Sequence, residues 1–324
     1  MAAVETDGKT IGGVFVEAVE RFGSNPFLMV PVDAERSYHP EGSTISFASA
    51  AAQVDTYEEV LRTAGYGHGH RIAVLLENRP EMVLMKLALA SLGISWVPIN
   101  PDYRPAEIGY LLSDSGAAFM ISVGSREAQA RNGIGESGRD VPLVLFDGGK
   151  LVVPEAAEAP PKDGPVGPAT EASLIYTSGT TGKPKGCMMG HEYELMMAVW
   201  YSSRGGLLDV REGQERIYCP LPLFHVNAGI LLVLNVMLTG NCQILPERFR
   251  ASRWWPEIIT TGTTAIHYLG VIVPVLMNQS PSELDRGHKV RWGLGAGVEP
   301  TLHGPFEKRF GFPLIEVWGM TEMC

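Results

Sequence analysis

Apolar residues recur at helical spacing over residues 11–22, where Val14, Phe15, Ala18, Val19 and Phe22 share one face and Thr10 can cap the helix. Two short apolar runs, 27–32 and 44–47, predict strands joined as a peripheral hairpin around Glu35-Arg36. Alternation then begins: helix 48–64, strand 71–76, helix 80–92 with Pro80 in its first turn, strand 95–98, helix 105–113, strand 117–122. Short apolar strands between amphipathic helices predict a mainly parallel sheet covered on both faces. Residues 148–170 interrupt the pattern, with Pro154, Pro160, Pro161, Pro165 and Pro168 among Ala, Gly and Glu, and read as a surface connection. Alternation resumes with strand 173–176, a glycine-rich loop and helix 191–203. Strand–helix pairs follow at 216–219 and 228–238, 242–245 and 252–260, 264–267 and 271–277, and 290–293 and 300–309, before a last strand at 314–317. The pattern predicts an α/β protein with two mainly parallel sheets flanked by helices. Its two lobes, 1–165 and 166–324, are expected to be parts of one large domain.

Composition narrows the partners. The chain has 324 residues, 45% hydrophobic and 19% charged, enough for both lobes to bury a core. A net charge of −10 with no lysine or arginine run argues against nucleic acid. An anionic small ligand must therefore be drawn by a local feature. Cys187, Cys219, Cys242 and Cys324 are scattered, with no zinc-type spacing, and read as free thiols of a reducing compartment. The polar start of the chain is unlike a signal peptide, and the longest apolar stretch, 229–238, is too short to span a bilayer. The expected location is the cytoplasm; homo-oligomer formation stays open.

Local chemistry concentrates in Tyr176-Thr177-Ser178-Gly179-Thr180-Thr181-Gly182-Lys183-Pro184-Lys185-Gly186, which holds three glycines, four aliphatic hydroxyls and two lysines. Glycines let a backbone turn close to a ligand, successive N–H groups form an anion cradle, and hydroxyls and ammonium groups add donors. A polyphosphate suits this chemistry. The spacing is not that of a P-loop, because Thr177 stands five residues before Gly182 and Lys183 precedes proline. Gly295-Ala296-Gly297-Val298-Glu299-Pro300 likewise fails as a dinucleotide fingerprint. His68-Gly69-His70 reads as a loop before a strand, and Met188, Met189, Met196 and Met197 read mostly as core filling.

The loop resembles the signature of the adenylate-forming superfamily, which includes acyl-CoA synthetases, nonribosomal peptide synthetase adenylation domains and luciferases. Pro222-Leu223-Phe224-His225 is similar to a further family segment, Gly295-Ala296-Gly297 to its adenine-contact segment, and Trp318-Gly319-Met320-Thr321-Glu322 to its Y-G-x-T-E. The resemblance implies the large N-terminal domain of such enzymes. It also implies ATP-dependent activation of a carboxylic acid to an acyl-adenylate, followed by transfer to coenzyme A. Thr177, Ser178, Gly179, Thr180, Thr181, Gly182 and Lys183 would hold the outer phosphates, with Lys185 in support. Thr177 and Glu322 would ligate Mg2+, Thr321 would bond the α-phosphate, and His225 would orient the reacting carboxylate. Gly295, Ala296, Gly297, Glu316, Val317, Trp318, Gly319 and Met320 would contact the nucleotide, Trp318 replacing the usual tyrosine.

Relative to the family, the barrel-like segment and the C-terminal domain with its catalytic lysine do not follow Cys324. The expectation is therefore an N-terminal fragment of an acyl-CoA ligase, poorly active alone. Trp318-Gly319-Met320-Thr321-Glu322 with Gly295-Ala296-Gly297-Val298 suggests a crotonobetaine/carnitine–CoA ligase-like branch. A carrier-protein-loading adenylation domain and a non-catalytic nucleotide-binding module are the alternatives.

Overall fold

The computed structural model describes residues 6–146, 150–177 and 182–323. Helix α1 (Ile11–Phe22) starts at Thr10, whose hydroxyl accepts from the Gly13 N–H at 3.1 Å. Strands β1 (Pro26–Val30) and β2 (Ser43–Ser46) pair antiparallel as the expected hairpin. There follow α2 (Phe47–Thr63), β3 (Arg71–Leu75), α3 (Pro80–Ser91), β4 (Ser95–Pro98), α4 (Pro105–Ser115), β5 (Phe119–Ser122), α5 (Glu127–Ser137) and β6 (Leu143–Leu145). The proline-rich connection then crosses the surface, hydrogen-bonding back through the Ala156 and Lys162 N–H groups to Ala64 and His68 carbonyls. After it come β7 (Glu171–Thr177), β8 (Lys185–Gly190), α6 (His191–Ser202) and β9 (Arg216–Tyr218). A π-helical turn, Asn227–Leu232, runs into α7 (Val233–Thr239). The rest is β10 (Cys242–Ile244), α8 (Ala251–Thr260), β11 (Ala265–Leu269), α9 (Ile272–Met277), β12 (Trp292–Ala296), α10 (Pro300–Phe310) and β13 (Leu314–Glu316).

Among the described residues these strands form two sheets, β13-β12-β11-β9-β10-β1-β2 and β6-β5-β3-β4-β7-β8. Every neighbouring pair is parallel except β1–β2 and β7–β8. Sheet membership does not respect the expected boundary between residues 165 and 166. β1 lies parallel to β10, with Leu28 opposite Gln243, so the first hairpin belongs to the later sheet. β7 lies beside β4, with Ser173 opposite Trp96, so β7 and β8 complete the earlier sheet. The physical reason is visible in β7: Ala172 through Tyr176 are all buried, and a strand apolar on both faces needs a place inside a covered sheet. The lobes interlock.

Side-chain alternation places the core on both faces of the six-stranded sheet. Ile72, Val74, Trp96, Phe119 and Ile121 join a large cluster that continues into the seven-stranded sheet and the helices between. Ala73, Leu75, Val97 and Met120 face the other way, onto Ile108, Leu111 and Leu112 of α4. Helix α3 is buried on every side from Pro80 to Ala90 and runs through the large cluster. It carries Lys86, which reaches Glu194 of α6 at 2.5 Å with both side chains fully enclosed.

Candidate nucleotide and acyl site

The C-terminal ends of β7, β11, β12 and β13 converge on one region, the usual ligand-binding side of open α/β sheets. The glycine-rich loop leaves β7 at Thr177 and returns as β8, with Thr177 opposite Lys185 and Tyr176 opposite Gly186. It is thus a hairpin connection, where the pattern predicts a loop leading directly to a helix. Strand β8 lies at the sheet edge and only Met189 on it is fully buried, so it has no alternation to announce it. Met189 and Met197 are buried as expected for core filling, although Met197 also borders the pocket beside His225, where a substrate face was not expected; Met188 and Met196 are exposed, at 68% and 48%, contrary to expectation. Ser178, Gly179, Thr180 and Thr181 lie outside the described residues.

Helix α4 holds the stem of this loop. The Tyr110 hydroxyl donates to the Pro184 carbonyl at 2.9 Å, and the Tyr176 hydroxyl donates to Asp114 Oδ2 at 2.7 Å. Burial, then the Asp114 carboxylate, push the Tyr176 phenol well above its ordinary pKa, so it stays a donor. Lys183 lies over the Tyr110 ring, 5.5 Å from its centroid, while Gly182, Lys183 and Lys185 are all solvent-exposed.

The decisive contact crosses 145 residues: the Thr177 hydroxyl donates to Glu322 Oε1 at 2.9 Å. Met320 and Met323 exchange backbone hydrogen bonds of 3.1 and 3.0 Å, closing the turn that presents Thr321 and Glu322. The Thr321 carbonyl accepts from the Tyr193 hydroxyl of α6 at 3.2 Å and from Cys187 Sγ of β8 at 3.8 Å. One carboxylate and one hydroxyl would suit a magnesium ion that takes its other ligands from a bound phosphate and water, since magnesium rarely takes more than two carboxylates from protein. Among the described residues no group of three His, Cys, Asp or Glu side chains is placed to hold a metal, so most ligands would come from nucleotide and water.

Gly295 sits between β11 and β13, where an added Cβ would lie 2.3 Å from the Tyr268 carbonyl oxygen. Only glycine allows that approach. Its carbonyl accepts from Val317 N–H, and that of Ala296 from Gly270 N–H, both at 2.8 Å. Gly297 follows at positive φ. Glu316 Oε1 accepts from Val298 N–H at 2.7 Å, so part of the carboxylate expected to meet adenine holds the neighbouring loop.

A pocket of about 330 Å³ brings the expected Ala296, Val317, Trp318, Gly319, Met320, Thr321 and His225 together. Met197, Trp200, Val226, Asn227, Leu231 and Leu269 complete its wall; of these, motif reading singles out none as a site residue. Trp318 stands at the rim, 79% exposed. His225 reaches the pocket from an exposed position, and partial desolvation lowers the pKa of its imidazole. Asn78, missed by sequence reading, clamps the segment before it: Nδ2 donates to the Leu221 carbonyl at 2.9 Å and Oδ1 accepts from Leu223 N–H at 2.8 Å. A lone asparagine after a strand carries no signal that finds it. His68 and His70 lie in a loop as expected, bonded to Thr170 and to Gly67 N–H.

The chain belongs to the family described as AMP-binding enzyme, which it matches over residues 15–324. It is 28% identical over 316 residues to the sulfoacetate–CoA ligase of Cupriavidus necator, covering 97% of this chain and 60% of that protein. It is 31% identical over 333 residues to human long-chain fatty acid transport protein 1, covering 97% and 49%. The chain thus spans about half to three-fifths of the length of these relatives. Its fold is that of the N-terminal domain of FACL13 from Mycobacterium tuberculosis, with a TM-score of 0.79 at 21% identity, over 97% of this chain and 76% of that one. No helix of the described residues is long and apolar enough to cross a membrane.

Proposed function

We propose that this protein activates a carboxylic acid with ATP, and that the acyl group then passes to coenzyme A. In the first step a carboxylate oxygen attacks the α-phosphorus, a P–O bond forms, and pyrophosphate leaves with the electron pair of the bond that breaks. The observation that carries this reading is the Thr177–Glu322 contact, which joins the glycine-loop stem to the Thr-Glu turn beside the pocket. There little covalent work falls to the protein; positioning and charge stabilisation do most of it. Bound magnesium would neutralise phosphate charge near Thr177 and Glu322. Lys183 and Lys185 supply solvent-exposed positive charge at the loop, and His225 can orient the acid by a hydrogen bond from its imidazole N–H to a carboxylate oxygen.

The acid we assign has an uncharged, apolar body. Met197, Trp200, Leu231 and Leu269 face the pocket, and no charged side chain lines it among the described residues. A second anionic group such as a sulfonate would meet no oppositely charged partner among the described residues of this wall. ATP–pyrophosphate exchange with a panel of acids, run on the full-length gene product, tests the reading. Exchange is expected with medium-length alkanoates or aryl acids, not with sulfoacetate, and Glu322→Gln should lower it by about 100-fold or more. Nucleotide binding with no acid-dependent exchange would support a binding module instead, and acyl transfer to a carrier protein but not to coenzyme A would support the loading-domain alternative.

A further inference from the structure

Behind the pocket wall runs a hydrogen-bonded line that none of the phosphate or adenine contacts uses. Asn227, at the start of the π-helical turn, lines the pocket two residues beyond His225. Its Oδ1 lies 2.7 Å from Nδ1 of His267 on β11, and His267 Nε2 lies 2.8 Å from the Tyr201 hydroxyl on α6. His267 and Tyr201 are both 0% exposed.

The orientation of the Asn227 amide, with Oδ1 toward His267, sets the protons along the line. An amide oxygen only accepts, so His267 Nδ1 carries the ring hydrogen; Nε2 is then an acceptor, and the Tyr201 O–H donates to it. Burial pushes the imidazole pKa down to about 3 and the phenol pKa up, so both stay neutral and the direction of the line does not reverse near neutral pH. With Oδ1 turned to His267, the Nδ2 end of Asn227 is what remains for the pocket. Among the described residues no acceptor takes its two N–H donors, and it is not among the polar atoms sealed from solvent. Three separate elements therefore hold one amide in one orientation, at a π turn, a feature that often marks functional positions.

We propose that Asn227 reads the acyl end of the substrate: its Nδ2–H donates to the carboxylate oxygen that becomes the carbonyl oxygen of the acyl-adenylate, with His267 and Tyr201 as positioning residues. This rests on the acid-activating reading above. A neutral donor suits both states, because the oxygen it holds is anionic in the acid and a carbonyl in the product. No proton moves through the line; it supplies orientation.

Titration calorimetry on this chain with two ligands, AMP and a non-hydrolysable N-hexanoylsulfamoyl adenosine, tests the proposal. Asn227→Ala is expected to weaken the acyl analogue by roughly 10–100-fold and AMP by less than about 3-fold. Retained AMP affinity shows that the variant is folded. Tyr201→Phe keeps the volume, removes the outer donor, and should shift the same ratio in the same direction by a smaller factor. If wild type binds both ligands and neither substitution changes the ratio of the two affinities, Asn227 has no such role. If wild type binds neither ligand, the acid-activating reading itself falls, and this one with it.

Discussion

Lys86 and Glu194 show how individual residues tie the site to the core. The ammonium also contacts Ser173 Oγ at 3.2 Å and the Trp96 ring at 4.9 Å, and burial lowers its pKa against the opposing pull of Glu194. Among the described residues Glu194 Oε1 has no hydrogen-bond partner, so the pair is not a source of large net stability. What it does is join α3 to α6, the helix that carries Tyr193, Met197 and Trp200 to the site. Lys86→Met alone leaves an enclosed carboxylate and should cost roughly 3–5 kcal/mol in urea unfolding. Lys86→Met with Glu194→Leu should recover most of that loss; equal destabilisation in the double variant would count against this account. Residues of this kind were the least legible. Glu322 and His225 stand in recognisable motifs, whereas Asn78, Asn227 and His267 acquire meaning only from partners 40 or more residues away.

At the scale of elements, long periodic segments were read well. The helix over 11–22 and the strand over 95–98 match the observed bounds, because caps and uninterrupted apolar runs mark them. Weakly patterned elements escaped: α5 contains two glycines and three buried residues, and β6 has three residues in all. Expected helix 228–238 proved to be a π turn running into α7, a distinction that hydrophobic period cannot make. The turn is tightly packed at Gly229. A Cβ at Gly229 would stand 1.8 Å from the Leu223 carbonyl oxygen, so the turn packs directly on the segment that delivers His225. Gly229→Ala must push the two apart and should destabilise the protein by roughly 1–3 kcal/mol, with a lowered thermal midpoint. Weaker binding of the acyl analogue should accompany it; unchanged stability would show that the contact relaxes freely.

For the whole molecule, fold class was legible and partition was not. Alternation of strand and helix counts layers, but says nothing about which sheet a strand joins. The edge hairpin β1–β2 and the inner strand β7 each cross to the sheet built mainly by the other half. A protease cut in the exposed stretch 155–165 should accordingly leave both pieces associated on a native gel and unfolding in one transition. Pieces that separate and fold independently would contradict the interlocked arrangement.

That arrangement also sets a timetable for synthesis. Phe27, Leu28 and Val30 leave the ribosome early, yet the neighbour of their strand, around Gln243, is made much later. At roughly 5–20 residues per second the nascent hairpin waits on the order of 10–40 seconds without the strand it will pair with. The seven-stranded sheet is therefore assembled late and almost at once, and the apolar hairpin needs shelter on the emerging chain or in a chaperone until β10 arrives.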